Sequence, residues 1–304
     1  MIPLKSFKLA PLILLFLLFS IWVWRTEGER DSGSVHSLSV SRAEEEDSPL
    51  IGLAPSFYDP VSFRQAAVFA KNVMPAGNIR AVIVPHDRTA LEESAGLLAA
   101  ASGRNISTAV VIGPNHLNIG GGVFATCQAQ WQTPDGVIDT DRPLFTKFVS
   151  DFGLRTQPEV FRNEHSIGAI VPLLARYFPQ AKLLPIAISS YADERDAERL
   201  SGWLDANAKN SLVVYSIDFS HYLDKNEADL KDTKTEALIR AGDIGKIIRL
   251  NNDYVDSPAS LAAALIYAQA QNLETKIIYH SNSFDFIDPK PVETTSHFGI
   301  AFFR

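Results

Sequence analysis

The chain of 304 residues has a single cysteine, Cys127, and only two methionines. One thiol can neither close an internal disulfide nor build a thiolate-rich zinc site. Cys127 is therefore expected to be a small buried residue, and any metal must be held mainly by imidazole and carboxylate. Positive charge is also scarce, with 28 Lys and Arg against 35 Asp and Glu and a formal net charge of −7. Sequence-independent nucleic-acid binding needs a basic face, so no nucleic-acid partner is expected. The chain has no Gly-x-Ser-x-Gly nucleophile elbow, no phosphate loop and no internal repeat, so nothing in it demands hydrolase or nucleotide chemistry. What is present, 46% hydrophobic and 21% charged residues, is the balance of an ordinary folded protein.

The N-terminus differs from the rest. Lys5 and Lys8 precede an uncharged run from Leu9 to Trp24, closed by Arg25. A buried globular helix seldom lacks a polar face for so long, whereas a spanning helix needs about 17–25 apolar residues. The run ends without a small-x-small cleavage site, and the lysines ahead of it favour a cytoplasmic N-terminus. Residues 1–27 are thus expected to form a signal anchor that tethers an exported domain to the membrane. A cleaved signal peptide, giving a secreted or periplasmic product, is the alternative. Residues 28–50, Ser-rich and acidic with Glu44 to Asp47 in one run, are expected to be a disordered tether, in which His36 is no ligand. The folded domain is expected over 51–304.

Within it, short β-branched runs alternate with helical patterns. Strands are expected at Ile79–Pro85, Thr108–Gly113, Lys182–Ser189, Ser211–Ile217, Thr275–Tyr279 and Phe298–Phe303. Helices are expected at Ala90–Ala101 and near 165–177, 193–208, 226–241 and 258–271. Val123–Ile138, turning at Pro134-Asp135-Gly136, reads as an inserted hairpin. Continuously apolar strands separated by helices imply an α/β fold with a mostly parallel central sheet covered on both faces.

In such sheets ligands gather at the carboxyl ends of the strands. Three strands run into polar signatures there: Pro85-His86-Asp87, Gly113-Pro114-Asn115-His116 and Asp218-Phe219-Ser220-His221. Three imidazoles from three strands are expected to meet at one mouth. A metal-binding imidazole needs an acceptor on its other nitrogen, and Asp87 and Asp218 are both placed to be acceptor or ligand. Glu164-His165 opens a helix, either as a capping acid with a solvated imidazole or as part of the site. His280 and His297 read as packing residues.

These residues carry a resemblance. Val84-Pro85-His86, Gly113-Pro114-Asn115-His116, Thr133-Pro134-Asp135-Gly136 with Asp139, Asn163-Glu164-His165-Ser166-Ile167 and Ser216-Ile217-Asp218-Phe219-Ser220-His221 resemble, in order, the motifs of the Memo family, also called AmmeMemoRadiSam system protein B. The resemblance spans roughly 51–304. It implies a fold similar to the catalytic subunit of class III extradiol dioxygenases, which hold iron(II) with two His and one carboxylate, and a pocket linked to iron or copper and redox roles. His86 and His116 match the first two metal histidines, His221 the third pocket histidine, Asp218 the acid before it, and Glu164 with His165 the Glu-His motif. The chain departs from the family at Asp87-Arg88, where a small Ala-Gly pair is frequent, and at Asp256, which falls where many members have cysteine.

The resemblance therefore implies that His86, His116 and Asp256, with His221 in the same pocket, bind iron(II) or copper. His221 would transfer protons, tuned by Asp218, near a small-molecule substrate, with Glu164 and His165 completing the site. A non-catalytic module binding a metal or small ligand is the alternative. Metal-assisted hydrolysis is a third reading.

Overall fold

The computed structural model describes residues 50–69 and 78–304. Eleven strands are present among them: β1 (Ile51–Leu53), β2 (Ile79–Val84), β3 (Thr108–Pro114), β4 (Phe124–Thr126), β5 (Ala129–Thr133), β6 (Gly136–Asp139), β7 (Lys182–Ile188), β8 (Ser211–Ser216), β9 (His221–Leu223), β10 (Glu274–Asn282) and β11 (Thr294–Phe303). The main sheet runs β10-β11-β2-β8-β3-β7-β4, with β9 paired to β11. Its middle, β2-β8-β3-β7, is parallel. Both margins are antiparallel: β10 to β11, β11 to β2, and β4 to β7.

The sheet is therefore mixed, which corrects the expectation of a mostly parallel one. The segment between β10 and β11 holds only the short helix Ser283–Phe286, too little for the crossover of a dozen or more residues that parallel neighbours require.

Both faces are covered. On β2, Val82 and Val84 belong to one apolar cluster with Leu97, Leu98 and Leu174, while Ala81 and Ile83 belong to another with Leu200, Leu204 and Leu261. Alternate side chains of a strand point to opposite faces, so a continuous apolar run marks burial on both. The helices Leu91–Ala101 and Val171–Tyr177 supply the first cluster, Glu194–Asn207 and Pro258–Ala270 the second.

Two local expectations are refined. The helix expected near 165–177 is two pieces, His165–Gly168 and Val171–Tyr177, the second with Pro172 in its first turn, where a missing N–H costs nothing. Of the inserted segment, only β5 and β6 form the hairpin, and β1 adds to it in parallel. Phe124–Thr126 joins the main sheet instead.

The membrane expectation is also corrected. Among the described residues no helix is long and apolar enough to cross a membrane. The anchor and tether expected over 1–27 and 28–50 lie outside the described residues, apart from Leu50. The reading of an exported, membrane-tethered domain thus has no structural support.

Candidate metal centre

β8 lies between β2 and β3, and all three run in the same direction. The residues that follow them, His86, Asp218 and His116, therefore leave the sheet at one rim. Because β11 is antiparallel to β2, its opening residues reach that rim too, and Thr295 joins the wall. The result is a cavity of about 620 Å³ whose lining includes His86, His116, His165, Asp218, His221 and Asp256. The expected convergence of His86, His116 and His221 on one mouth is thus found.

His86 is the deepest imidazole, its side chain 1% exposed. Its Nδ1 faces the Ser216 hydroxyl at 3.1 Å, and its backbone N–H donates to Asp218 Oδ1 at 2.9 Å. The next N–H, of Asp87, donates to the same oxygen at 3.2 Å. Asp218 thus fixes the His86 backbone, while Asp87 caps its own turn by accepting from the Thr89 N–H at 2.6 Å. Neither acid orients the His86 ring through Nδ1. Ser216 does, and sequence reasoning had overlooked it. Nor is Asp218 found against His221, whose buried Nδ1 has no hydrogen-bond partner.

His116 is oriented by Glu164. One carboxylate oxygen meets His116 Nδ1 at 2.7 Å and the other accepts its backbone N–H at 2.9 Å. Glu164 also caps the helix His165–Gly168, accepting from Ser166 N–H at 2.9 Å. Burial would raise this carboxyl, but the His116 and backbone hydrogen bonds outweigh it and hold the group below the usual carboxylate range. The cap places His165 flat against His116, with centroids 4.0 Å apart and planes 21° from parallel.

Both oriented rings present Nε2 to Asp256. Its Oδ2 is 3.2 Å from His86 Nε2 and 3.8 Å from His116 Nε2. Asp256 directly precedes Ser257, which caps the helix Pro258–Ala270, and the bridge Phe219↔Val255 ties this turn to the end of β8. The Asp256 and Asp218 backbones are joined by an N–H to carbonyl bond of 3.1 Å. Burial pushes both carboxyls up, each reinforced by a neighbouring acid, Asp87 for Asp218 and Asp218 for Asp256. Burial, with the charge of His116, pulls His165 and His221 down to about 4, so both rings are neutral at physiological pH. Neutral imidazole is the metal-binding form.

One ring nitrogen each of His86, His116 and His165 lie within 4.8 Å of one another, a group able to hold a metal ion. The sequence-based ligand set named His221 instead; it lines the same cavity, outside this trio.

The model of the family described as Memo-like protein matches residues 60–290. The chain belongs to the Memo-like family. A MEMO1 family protein of Caldivirga maquilingensis is 28% identical over 203 residues, covering 64% of this chain and 72% of that one. A second Memo-like relative, the MEMO1 family protein of Pyrobaculum aerophilum, is 27% identical with the same coverage. Among solved structures, an uncharacterized protein of Escherichia coli K12 is similar at 12% identity and a TM-score of 0.49, covering 73% of this Memo-like chain and 99% of its own.

Proposed function

We propose that residues 51–304 form a metal-dependent oxidoreductase-type domain in which His86, His116 and Asp256 hold one iron(II) or copper ion facing a small-molecule cavity. The observation that carries this is the approach of one carboxylate oxygen to two imidazole nitrogens whose far sides are already anchored, by Ser216 and Glu164.

The residues fit such an ion. His86 Nε2 and Asp256 Oδ1 are buried without hydrogen-bond partners, and buried polar atoms are rarely left so. Two imidazoles and one carboxylate on one face, with positions left open, suit non-haem iron(II), and imidazole also suits copper. When bound, the ion supplies Lewis acidity and redox chemistry at the open positions.

The chain's own groups do the rest. Ser216 and Glu164 fix ring orientation, Asp218 fixes the His86 backbone, and His165 packs beside His116 as a further imidazole at the centre. His221, with its buried Nδ1 unengaged, is the group that takes or gives a proton within the cavity. The resemblance to class III extradiol dioxygenases fits this donor set.

Metal analysis of the purified full chain tests the reading, alongside the His86→Ala/His116→Ala double variant. The wild type is expected to hold one equivalent and the double variant none. Equal stoichiometric metal in both would refute the ligand assignment. Oxygen uptake with a panel of catechols then separates catalysis from storage. Silence despite tight metal binding would leave a non-catalytic binding module.

A further inference from the structure

The parallel strands have a second rim, where they begin. Arg80 enters β2 there, six residues before His86, so at about 3.3 Å per residue the two rims are about 20 Å apart. Arg104 precedes β3, Lys209 precedes β8, and Arg304 follows β11, which runs antiparallel to β2 and ends where β2 begins. Two cavities open at this rim. One, of about 450 Å³, has Arg80, Lys209, Arg304 and Asp205 in its wall. The other, of about 490 Å³, has Arg80, Arg104, Asn78, Asn105 and Asn210. Arg80 belongs to both walls.

Four cations thus share this rim with one acid, in a chain whose net charge is −7. The guanidinium hydrogen bonds go to neutral acceptors. Arg80 Nη2 donates to the Lys209 carbonyl, Arg104 Nη1 to the Ile79 carbonyl at 2.8 Å, and Arg304 Nη2 to the Gln271 side-chain oxygen at 3.1 Å. Asp205 accepts from the Gln271 amide instead. Among the described residues none of the four cations forms an ion pair with a carboxylate.

Most surface cations are simply solvated, but two of these are half-buried, Arg80 and Arg104. Burial, with the charge of Arg80, pulls the Arg104 guanidinium below its ordinary value. The Nε of Arg80 is buried with no hydrogen-bond partner. Tyr267, fully buried, brings a second unpartnered atom, its hydroxyl, to a place where the charges of Arg80 and Arg104 act on it. Buried polar atoms are rarely left so. Guanidinium groups gathered without a carboxylate are satisfied by an oxyanion, whose geometry the planar fork of arginine matches.

We infer that this rim binds a diphosphate group, one phosphoryl in each cavity with Arg80 between them. A single oxyanion would engage one side only. A phosphoryl group also carries more charge than a carboxylate, which suits four cations set against one acid. No aromatic side chain is among the described lining residues, so recognition rests on the phosphoryl groups and not on a stacked base. The site is separate from the metal centre and stands whether or not that reading holds.

Calorimetric titration of the full chain with pyrophosphate tests this, once as purified and once after metal is removed by a chelator. Pyrophosphate should bind one-to-one in both, about tenfold or more tightly than phosphate or malonate, the scale of one added charge-assisted bond. Arg80→Gln should weaken it about tenfold or more. Arg104→Gln and Arg304→Gln, on opposite sides of Arg80, should each weaken it about five- to tenfold. Unfolding temperatures are read alongside. Arg304 is exposed and bonded only to Gln271, so Arg304→Gln should keep the wild-type value, and its loss of affinity is then no loss of fold. ADP titrated in parallel distinguishes the source: binding equal to pyrophosphate supports an esterified diphosphate, weaker binding a free one. Four results would overturn the proposal: no saturable binding, phosphate binding as tightly as pyrophosphate, Arg304→Gln leaving affinity intact, or binding abolished by the chelator, which would put the anion on a metal ion instead.

Discussion

The Oδ2 of Asp256 lies 3.2 Å from the Nε2 of His86, yet that nitrogen has no hydrogen-bond partner. A lone pair and a carboxylate at this distance, not aligned for a proton, are arranged as they would be around a cation. A carboxylate at this position would bear on which metal is preferred.

Asp256→Ala is expected to lower metal affinity at least tenfold without lowering the unfolding temperature of the metal-free protein, because it removes a buried carboxyl that burial already penalises. The stabilisation by added metal should shrink with it. Asp256→Cys should retain binding and shift preference toward copper(I) or zinc, since thiolate is the softer ligand. Competition against a chelator of known affinity and thermal unfolding with and without metal check both variants. A metal-induced rise in melting temperature undiminished in Asp256→Ala would exclude Asp256 as a ligand.

Glu164→Gln should weaken metal binding about 10–100-fold, the usual cost of losing the partner of a ligating imidazole. It also carries a pH signature in the metal-free protein. The folded-state carboxyl is held below its unfolded value, so its contribution to stability is present above pH about 4.5 and is lost as pH falls through the lower folded value. Asp218 and Asp256, raised by burial, contribute in the opposite sense. The difference between wild type and Glu164→Gln, by denaturant titration from pH 6 to 3, isolates the Glu164 part. That difference should diminish as the solution is acidified.

Gly113→Ala should destabilise by about 1–3 kcal/mol, the range for overpacking. A Cβ there would lie 2.7 Å from the Ser166 Cβ, in the helix that Glu164 caps. Because Gly113 leads into His116, metal affinity should fall as well. Urea unfolding and metal titration measure the two effects. An unchanged midpoint would show that the Ser166 turn moves freely.

Cys127 is fully buried and burial pushes its thiol well up, so the reactive thiolate is absent in the fold. Alkylation by iodoacetamide should be negligible in native buffer and complete in denaturant. Rapid native labelling, read by intact mass, would contradict its placement between β4 and β5.

Much of this site was legible in the sequence because strand-end positions are marked twice, by a continuous apolar run and then by an abrupt polar signature. Ile79–Val84 into His86, Thr108–Pro114 into His116 and Ser211–Ser216 into Asp218 followed that pattern. Strand direction was less legible: the second half of β11, Phe298–Phe303, is as continuously apolar and buried as the parallel strands, and only the short link from β10 sets the pair antiparallel. Ser216 passed unnoticed because a hydroxyl inside a strand looks like any buried serine. The places of Phe57, Arg88 and Tyr222 on the cavity wall, like the left-handed backbone of Phe57 and Tyr222, have no local signature in the sequence.

The bond from the His86 backbone to Asp218 joins positions 132 apart in the chain, and Asp256 lies farther still. A polypeptide emerging from the ribosome presents its first imidazole long before its last carboxylate is made. In the proposed centre, a metal held jointly by His86, His116 and Asp256 would therefore be captured only once distant parts of the chain had closed the sheet. Metal occupancy would then report on whether the whole domain was completed.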